Sequence, residues 1–224
     1  MKFNLKNKAF SELNTSPEKL AIVGADYSLS WQQLKKSTEE LKIILQSLNI
    51  PKGHPVFIFG NDEPQQIAAM LACMICKFPY VHIELQVPEA RISSMKSILN
   101  SDVLIHCTRY SGPEFGVSIG LENSEWKLES SKPISFKLQQ QDTAYVTFTS
   151  GSSGQPKAVL CTWRNIYCYT EYYNSTGIKL SNTDNAINHL LKEPLVSLFK
   201  IPEIILFICP QTSKSSMSTP TRST

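Results

Sequence analysis

Thr149-Ser150-Gly151-Ser152-Ser153-Gly154 is an unbroken run of small polar residues, with Pro156 and Lys157 close behind it. Residues of this size cannot fill a core. They let a backbone turn closely around an anion, glycines supplying unusual dihedrals and hydroxyls and N–H groups supplying donors. Pro156 stiffens the exit, and Lys157 sets one mobile positive charge beside the loop. The chemistry open to such a set is the cradling of phosphate. A flexible Ser/Gly linker has a similar composition. It gives no reason for the apolar and β-branched run Ala144–Phe148 just before, or for the Pro-Lys just after. Nor is this the common nucleotide loop Gly-x-x-x-x-Gly-Lys-Ser/Thr. Gly151 and Gly154 stand too close together, and Lys157 lies three residues beyond the second.

A loop of this kind needs a strand to deliver it, and Ala144–Phe148 reads as a short buried one. Upstream the pattern alternates. Val56–Phe59 is predicted as a strand, Pro64–Cys76 as a helix with proline near its first turn, and Tyr80–Ile83 as a strand. Pro88–Leu99 reads as a helix and Val103–Cys107 as a strand. Strand–helix–strand repeats with short connections predict an α/β fold, a parallel βαβ sheet covered by helices. Before these, Leu20–Val23 reads as a short strand and Gly24–Asp26 as a turn. Ser30 is predicted as an N-cap with Gln33 as its capping-box partner. The helix it opens would bury Trp31, Leu34, Leu41, Leu45 and Leu48 and end at Pro51-Lys52-Gly53. Ser111–Gln141 is polar and reads as an irregular surface excursion. Trp163–Tyr173, carrying Trp163, Ile166, Tyr167, Tyr169 and Tyr173, reads as a helix packing aromatic residues into the core, with ligand stacking as the alternative.

Thr149–Lys157 resembles the ATP-binding signature of the adenylate-forming (AMP-binding) enzymes, which include acyl-CoA synthetases and peptide-synthetase adenylation domains. Further pieces narrow the likeness: Gly60-Asn61-Asp62-Glu63-Pro64, Phe78-Pro79-Tyr80-Val81, and Val87-Pro88-Glu89-Ala90-Arg91-Ile92. These resemble D-alanine–D-alanyl carrier protein ligases most, and peptide-synthetase adenylation domains next. The resemblance implies the N-terminal part of such an enzyme's large domain. Thr149, Ser150, Gly151, Ser152, Ser153, Gly154 and Lys157 would then hold ATP, with Mg²⁺ as companion ion. It also implies a two-step reaction. A substrate carboxylate attacks the α-phosphate of ATP to give an acyl-adenylate and pyrophosphate, and a carrier-protein phosphopantetheine thiol then takes the acyl group. The implied partners are ATP, a D-alanine-like amino acid and a phosphopantetheinylated carrier protein. No catalytic residue and no metal ligand is assigned. Three departures stand out: Ala158 where the family usually has glycine, expected to tighten the turn; His82 where it usually has proline; and Cys76-Lys77-Phe78 in place of Lys-Ala-Gly. The last two bear on D-alanine specificity, not on the fold.

Composition narrows the alternatives. With 224 residues, 42% hydrophobic and 18% charged, the chain can build a substantial core. A net charge of +3, with no basic block interleaved with aromatics, argues against a nucleic-acid partner. Cys73, Cys76, Cys107, Cys161, Cys168 and Cys209 are scattered in apolar company, and His54, His82, His106 and His189 show no ligand spacing. Cys73-x-x-Cys76 has no second pair at zinc-finger spacing. Reduced thiols and a cytoplasmic location are expected. Met1–Phe10 lacks a signal-peptide core, and Leu195–Cys209, interrupted by Lys200, Pro202 and Glu203, is too short for a membrane span.

The likeness is good over Tyr27–Tyr173 and fades beyond Asn174. The chain is therefore expected to divide into a partial AMP-binding domain over 1–209 and a Ser/Thr-rich disordered tail over 210–224. Two functional readings follow. The first is an amino-acid-adenylating ligase represented by its N-terminal part. The second is a non-catalytic module that binds nucleotide or a partner without turnover.

Overall fold

Val56-Phe57-Ile58-Phe59 carries apolar side chains on both sides of its pleat, so it must be buried on both faces, as strands in covered parallel sheets are. The computed structural model places it there. It describes residues 17–23, 28–60, 63–133, 142–150, 156–166, 168, 186–187 and 206–207. In chain order the described elements are β1 (Leu20–Val23), β2 (Ser28–Ser30), α1 (Trp31–Ser47), β3 (Val56–Phe59), α2 (Pro64–Cys76) and β4 (Tyr80–Ile83). There follow α3 (Glu89–Leu99), β5 (Val103–His106), β6 (Val117–Glu122), β7 (Glu125–Ser131), β8 (Thr143–Ser150) and β9 (Pro156–Thr162). Two short strands close the series, β10 (Ala186–Ile187) and β11 (Leu206–Phe207). The main sheet has the order β7-β6-β5-β3-β4-β8-β9. Its inner strands β6, β5, β3, β4 and β8 run parallel, while β7 and β9 are antiparallel edges. A smaller sheet has the order β10-β11-β1-β2.

Strand periodicity sorts the core into two layers. Val56, Ile58, Tyr80, Val103, Ile105 and Tyr145 pack on one face with Leu34, Leu41 and Leu45 of α1 and Ile67–Met74 of α2. Phe57, Phe59, Val81, Ile83, Leu104 and Val146 pack on the other with Ile92 and Met95 of α3. The predicted sandwich of a parallel sheet between helices is therefore the observed one. Ser30 caps α1 as expected: its Oγ accepts from Gln33 N at 3.2 Å, and its own N–H donates to Gln33 Oε1 at 2.8 Å. Trp31, Leu34, Leu41 and Leu45 are buried, and Leu48 lies just past the helix end, partly buried against the same cluster. Lys77 (φ 61°) and Asn100 (φ 48°) end α2 and α3 in the left-handed region, where each cap N–H reaches back to the last turn.

Three sequence expectations are corrected. The described part of Ser111–Gln141, residues 111–133, is no irregular excursion, because β6 and β7 lie inside it and extend the sheet beside β5. Asn123 and Ser124 turn the hairpin with φ of 51° and 66°, and Trp126 then packs under α1, its Nε1 donating to Ser37 Oγ at 2.9 Å. Second, the strand before the small polar run is longer than Ala144–Phe148: it takes in Thr149 and Ser150, and Pro156–Thr162 forms its antiparallel partner. Third, Ala158 sits in that partner strand opposite Phe148, so its methyl packs beside the α3-side core instead of tightening a turn. Of Trp163–Tyr173, residues 163–166 are helical and Ile166 is buried. Tyr167, Tyr169 and Tyr173 lie outside the described residues, as do Gly24–Asp26 and the whole 210–224 segment.

Candidate phosphate-binding site

β8 delivers the Ser/Gly run, and its sequence shows why it is held firmly. Tyr145 is buried and stacks on Tyr80 of β4, centroids 5.6 Å apart. Val146 points to the opposite layer, and Phe148 packs at its margin. Beyond Phe148 the side chains become small and polar, so the core ends where the candidate site begins. β8 runs parallel to β4, with Tyr80 opposite Tyr145 and Val81 opposite Val146. Its last residues therefore emerge at the same edge as the ends of β3, β4 and β5, the edge at which open α/β sheets bind ligands.

The hairpin register defines the site. Thr149 pairs with Lys157 and Ser150 with Pro156, so residues 151–155 span the two strand ends. Of the residues singled out by sequence, Thr149, Ser150 and Lys157 stand at the hairpin mouth. Gly151, Ser152, Ser153 and Gly154 lie outside the described residues. Thr149 and Lys157 are both exposed, and as a directly opposed pair they share one face of the ribbon. Pro156 opens the edge strand, a position that asks no ladder hydrogen bond of a residue lacking an N–H.

One neighbour was noted in the sequence only as a departure. His82 follows Val81 on β4, beside the β8 segment that leads into the hairpin mouth. Its Nε2 lies 3.4 Å from Gly60 O at the end of β3. Burial lowers its pKa to about 4, against the opposing pull of the Gly60 contact, so the imidazole is neutral near pH 7 and adds no charge here. The Gly60–Pro64 piece joins this edge through Gly60 and the N-terminus of α2, with Asn61 and Asp62 outside the described residues. An exposed lysine and an exposed threonine flank the hairpin mouth at the edge where open α/β sheets bind ligands, a donor set that suits a nucleotide triphosphate. For magnesium the case differs. Among the described residues no group of three or more His, Cys, Asp or Glu could hold an ion.

Comparison with known proteins decides the family. The AMP-binding enzyme family matches residues 10–192. The chain belongs to that family. Among its curated relatives is the D-alanine–D-alanyl carrier protein ligase of Staphylococcus aureus, 27% identical over 183 residues, 78% of this chain and 35% of the relative. That of Bacillus licheniformis is 24% identical over 161 residues, 70% of this chain and 32% of the relative. The chain thus spans about a third of the length of these curated relatives. Solved adenylation structures share its fold. The N-terminal subdomain of Klebsiella oxytoca NpsA, in complex with 3-hydroxybenzoyl-AMSN, gives a TM-score of 0.67 at 20% identity, over 94% of this chain and 55% of that one. The nonribosomal peptide synthetase FmoA3 gives 0.71 at 15% identity, over 92% of this chain and 23% of that one. The resemblance carried by Thr149–Lys157 is thereby borne out at the level of family and fold. Among the described residues no helix is long and apolar enough to cross a membrane.

Proposed function

We propose that this AMP-binding family member supplies the nucleotide-binding part of a ligase that activates a D-alanine-like amino acid as its adenylate and passes it to a phosphopantetheinylated carrier protein in the cytoplasm. The observation that carries the reading is the β8–β9 hairpin, which sets Thr149 opposite Lys157 at the C-terminal edge of a parallel sheet. A carboxylate and a triphosphate repel each other, so the reaction requires the phosphate charge to be offset as they meet. In this proposal the N–H groups and hydroxyls of Thr149, Ser150, Gly151, Ser152, Ser153 and Gly154 donate to phosphate oxygens, and Lys157 adds a full positive charge. Magnesium, arriving with ATP, would share that charge; octahedral magnesium leans on phosphate oxygens and water more than on protein cages. His82 stays neutral and leaves Lys157 as the cation of the hairpin mouth.

The experiment is ATP binding by calorimetry in wild type and Lys157→Ala, with D-alanine-dependent pyrophosphate exchange as the catalytic readout. A second reading rests on the span of the match, about a third of the relatives' length: a module that binds nucleotide without turnover. Single-turnover adenylate formation over a panel of amino acids separates the two. Stoichiometric adenylate supports the ligase, whereas Lys157-dependent ATP binding without adenylate supports the module. Equal ATP affinity with and without the Lys157 ammonium removes the site from both.

A further inference from the structure

The β8–β9 ribbon has two faces, and near the hairpin mouth they differ. Directly opposed residues share a face, so Tyr145, Thr147 and Thr149 of β8 lie on the side of Cys161, Val159 and Lys157 of β9. Tyr145 and Cys161 belong to the core layer of α1 and α2, which makes this the α2 side of the sheet. The other face is closed. Pro156 is buried there, and Ala158 and Phe148 pack against the layer built on Ile92 and Met95 of α3. On the α2 side Thr149, Lys157 and Val159 are all exposed. An anion drawn to Lys157 therefore meets open surface on one face and packed side chains on the other. Neither β8 nor β9 carries an Asp or Glu, and among the described residues no carboxylate pairs with Lys157.

We propose that a polyphosphate ligand lies on the α2 face of this ribbon and that Val159 borders it there, an uncharged wall beside Lys157, while Leu160 faces away. The assignment rests on the hairpin being the phosphate site, and adds which face is used and which further residue governs the ligand's charge. Val159 stands two residues from Lys157 on the same face, about 7 Å along the strand. A charge at position 159 would act directly on bound phosphates: a carboxylate repels them, and an ammonium adds to the pull of Lys157. Being neutral, Val159 leaves the lysine's charge undiminished. The chain supplies its own control. Val159 and Leu160 are adjacent and similarly exposed, 47% and 39%, yet they point to opposite faces, since Leu160 opposes Val146 of the α3-side layer.

The test is calorimetric binding of Mg-ATP and, separately, of inorganic tripolyphosphate to wild type, Val159→Glu, Val159→Lys, Leu160→Glu and Leu160→Lys. At about 0.15 M salt, charges are screened over about 8 Å, so a charge on the face turned away is felt weakly. Val159→Glu should weaken both ligands about tenfold and Val159→Lys should strengthen them, while either change at Leu160 stays within about threefold. Opposite signs for Glu and Lys separate an electrostatic effect from a damaged fold. If one Val159 variant fails to fold, the other, set against its Leu160 counterpart, still decides. Equal shifts at the two positions, or larger ones at Leu160, overturn the face assignment while leaving a Lys157-dependent phosphate site in place. ATP and tripolyphosphate binding that ignores Lys157→Ala, or no binding by the wild type, removes the phosphate site itself and this inference with it.

Discussion

Two histidines are buried neutral, and this sets how the fold responds to acid. His54, before β3, has no exposed surface; its Nε2 lies 3.4 Å from both Ser101 Oγ and Asp102 N. Burial lowers its pKa to about 4 against the opposing attraction of Asp102. His82 is lowered to about 4 by the same desolvation, against its Gly60 contact. In the unfolded chain both return to about 6.5. The sign follows: the unfolded state binds protons that the folded state refuses, so stability is intact above about pH 6.5, falls as the pH drops, and levels off below about pH 4. At pH 5 each group costs about 2 kcal/mol, and together they cost about 4 kcal/mol of a typical total of about 5–15. Near pH 5.2 the pair should make unfolding take up about 1.8 protons, a slope of about 2.4 kcal/mol per pH unit. Urea titrations between pH 4 and 7.5 measure that slope directly. His82→Leu, a change to an apolar side chain of similar bulk, should halve it. An uptake below one proton in the wild type, or an undiminished slope in the variant, would refute the argument that burial keeps these rings neutral.

Further outcomes follow from individual residues. Lys157→Ala should weaken ATP binding by about 1–3 kcal/mol, the scale of a hydrogen bond to a charged group, read by calorimetry in one buffer. Ser124→Gly should raise stability by about 1 kcal/mol, because Ser124 holds φ at 66° in the β6–β7 turn; denaturant midpoints check it. Burial raises the thiol pKa values of Cys73 and Cys107 well above normal, whereas Cys168 is exposed, so native-state alkylation at neutral pH should mark Cys168 before Cys73 and Cys107.

The βαβ core was legible because its signals are local and agree with one another. Val56–Phe59 and Tyr80–Ile83 are short apolar runs bounded by proline or glycine, and Pro64 sits where a helix tolerates it. The β6–β7 hairpin was missed although its alternation is present in Val117, Ile119 and Leu121. Its turn is Asn123-Ser124 in place of the expected Asn-Gly, and its outward positions are charged, since one face of an edge ribbon meets water. Strand β9 was not read from the sequence for a different reason. Val159 and Leu160 are both exposed, so no alternation marks the segment, and only pairing with β8 makes Pro156–Thr162 a strand. The candidate phosphate residues stand out as a motif whose role the ATP-binding experiment tests. What pattern alone could not give was that Thr149 and Lys157 oppose each other, because register is decided by partners distant in the chain.

Separating scaffold from site requires a substitution that weakens one and spares the other, and the start of α1 offers it. The first N–H groups of a helix have no intrahelical acceptor. Here each has found one: Trp31 N donates to Lys19 O at 2.9 Å, Gln32 N to Pro17 O at 2.9 Å, and Gln33 N to Ser30 Oγ at 3.2 Å. Ser30 is nearly buried, so water is a poor substitute for its hydroxyl. Ser30→Ala strands the Gln33 N–H and should cost about 1 kcal/mol, within the usual range of about 0.5–2 for a lost N-cap. Ser30→Asp keeps an acceptor and should recover much of that loss. Because α1 packs through Leu34, Leu41 and Leu45 against the sheet layer that Tyr145 completes, the cost should appear in global unfolding. The hairpin mouth is reached through β8 and β9, not through α1, so ATP affinity measured well below the melting transition should not change. A Ser30→Ala protein of normal stability would show that the capping box adds nothing. One that keeps its stability margin yet loses ATP binding would show that the hairpin is not the independent unit its register describes.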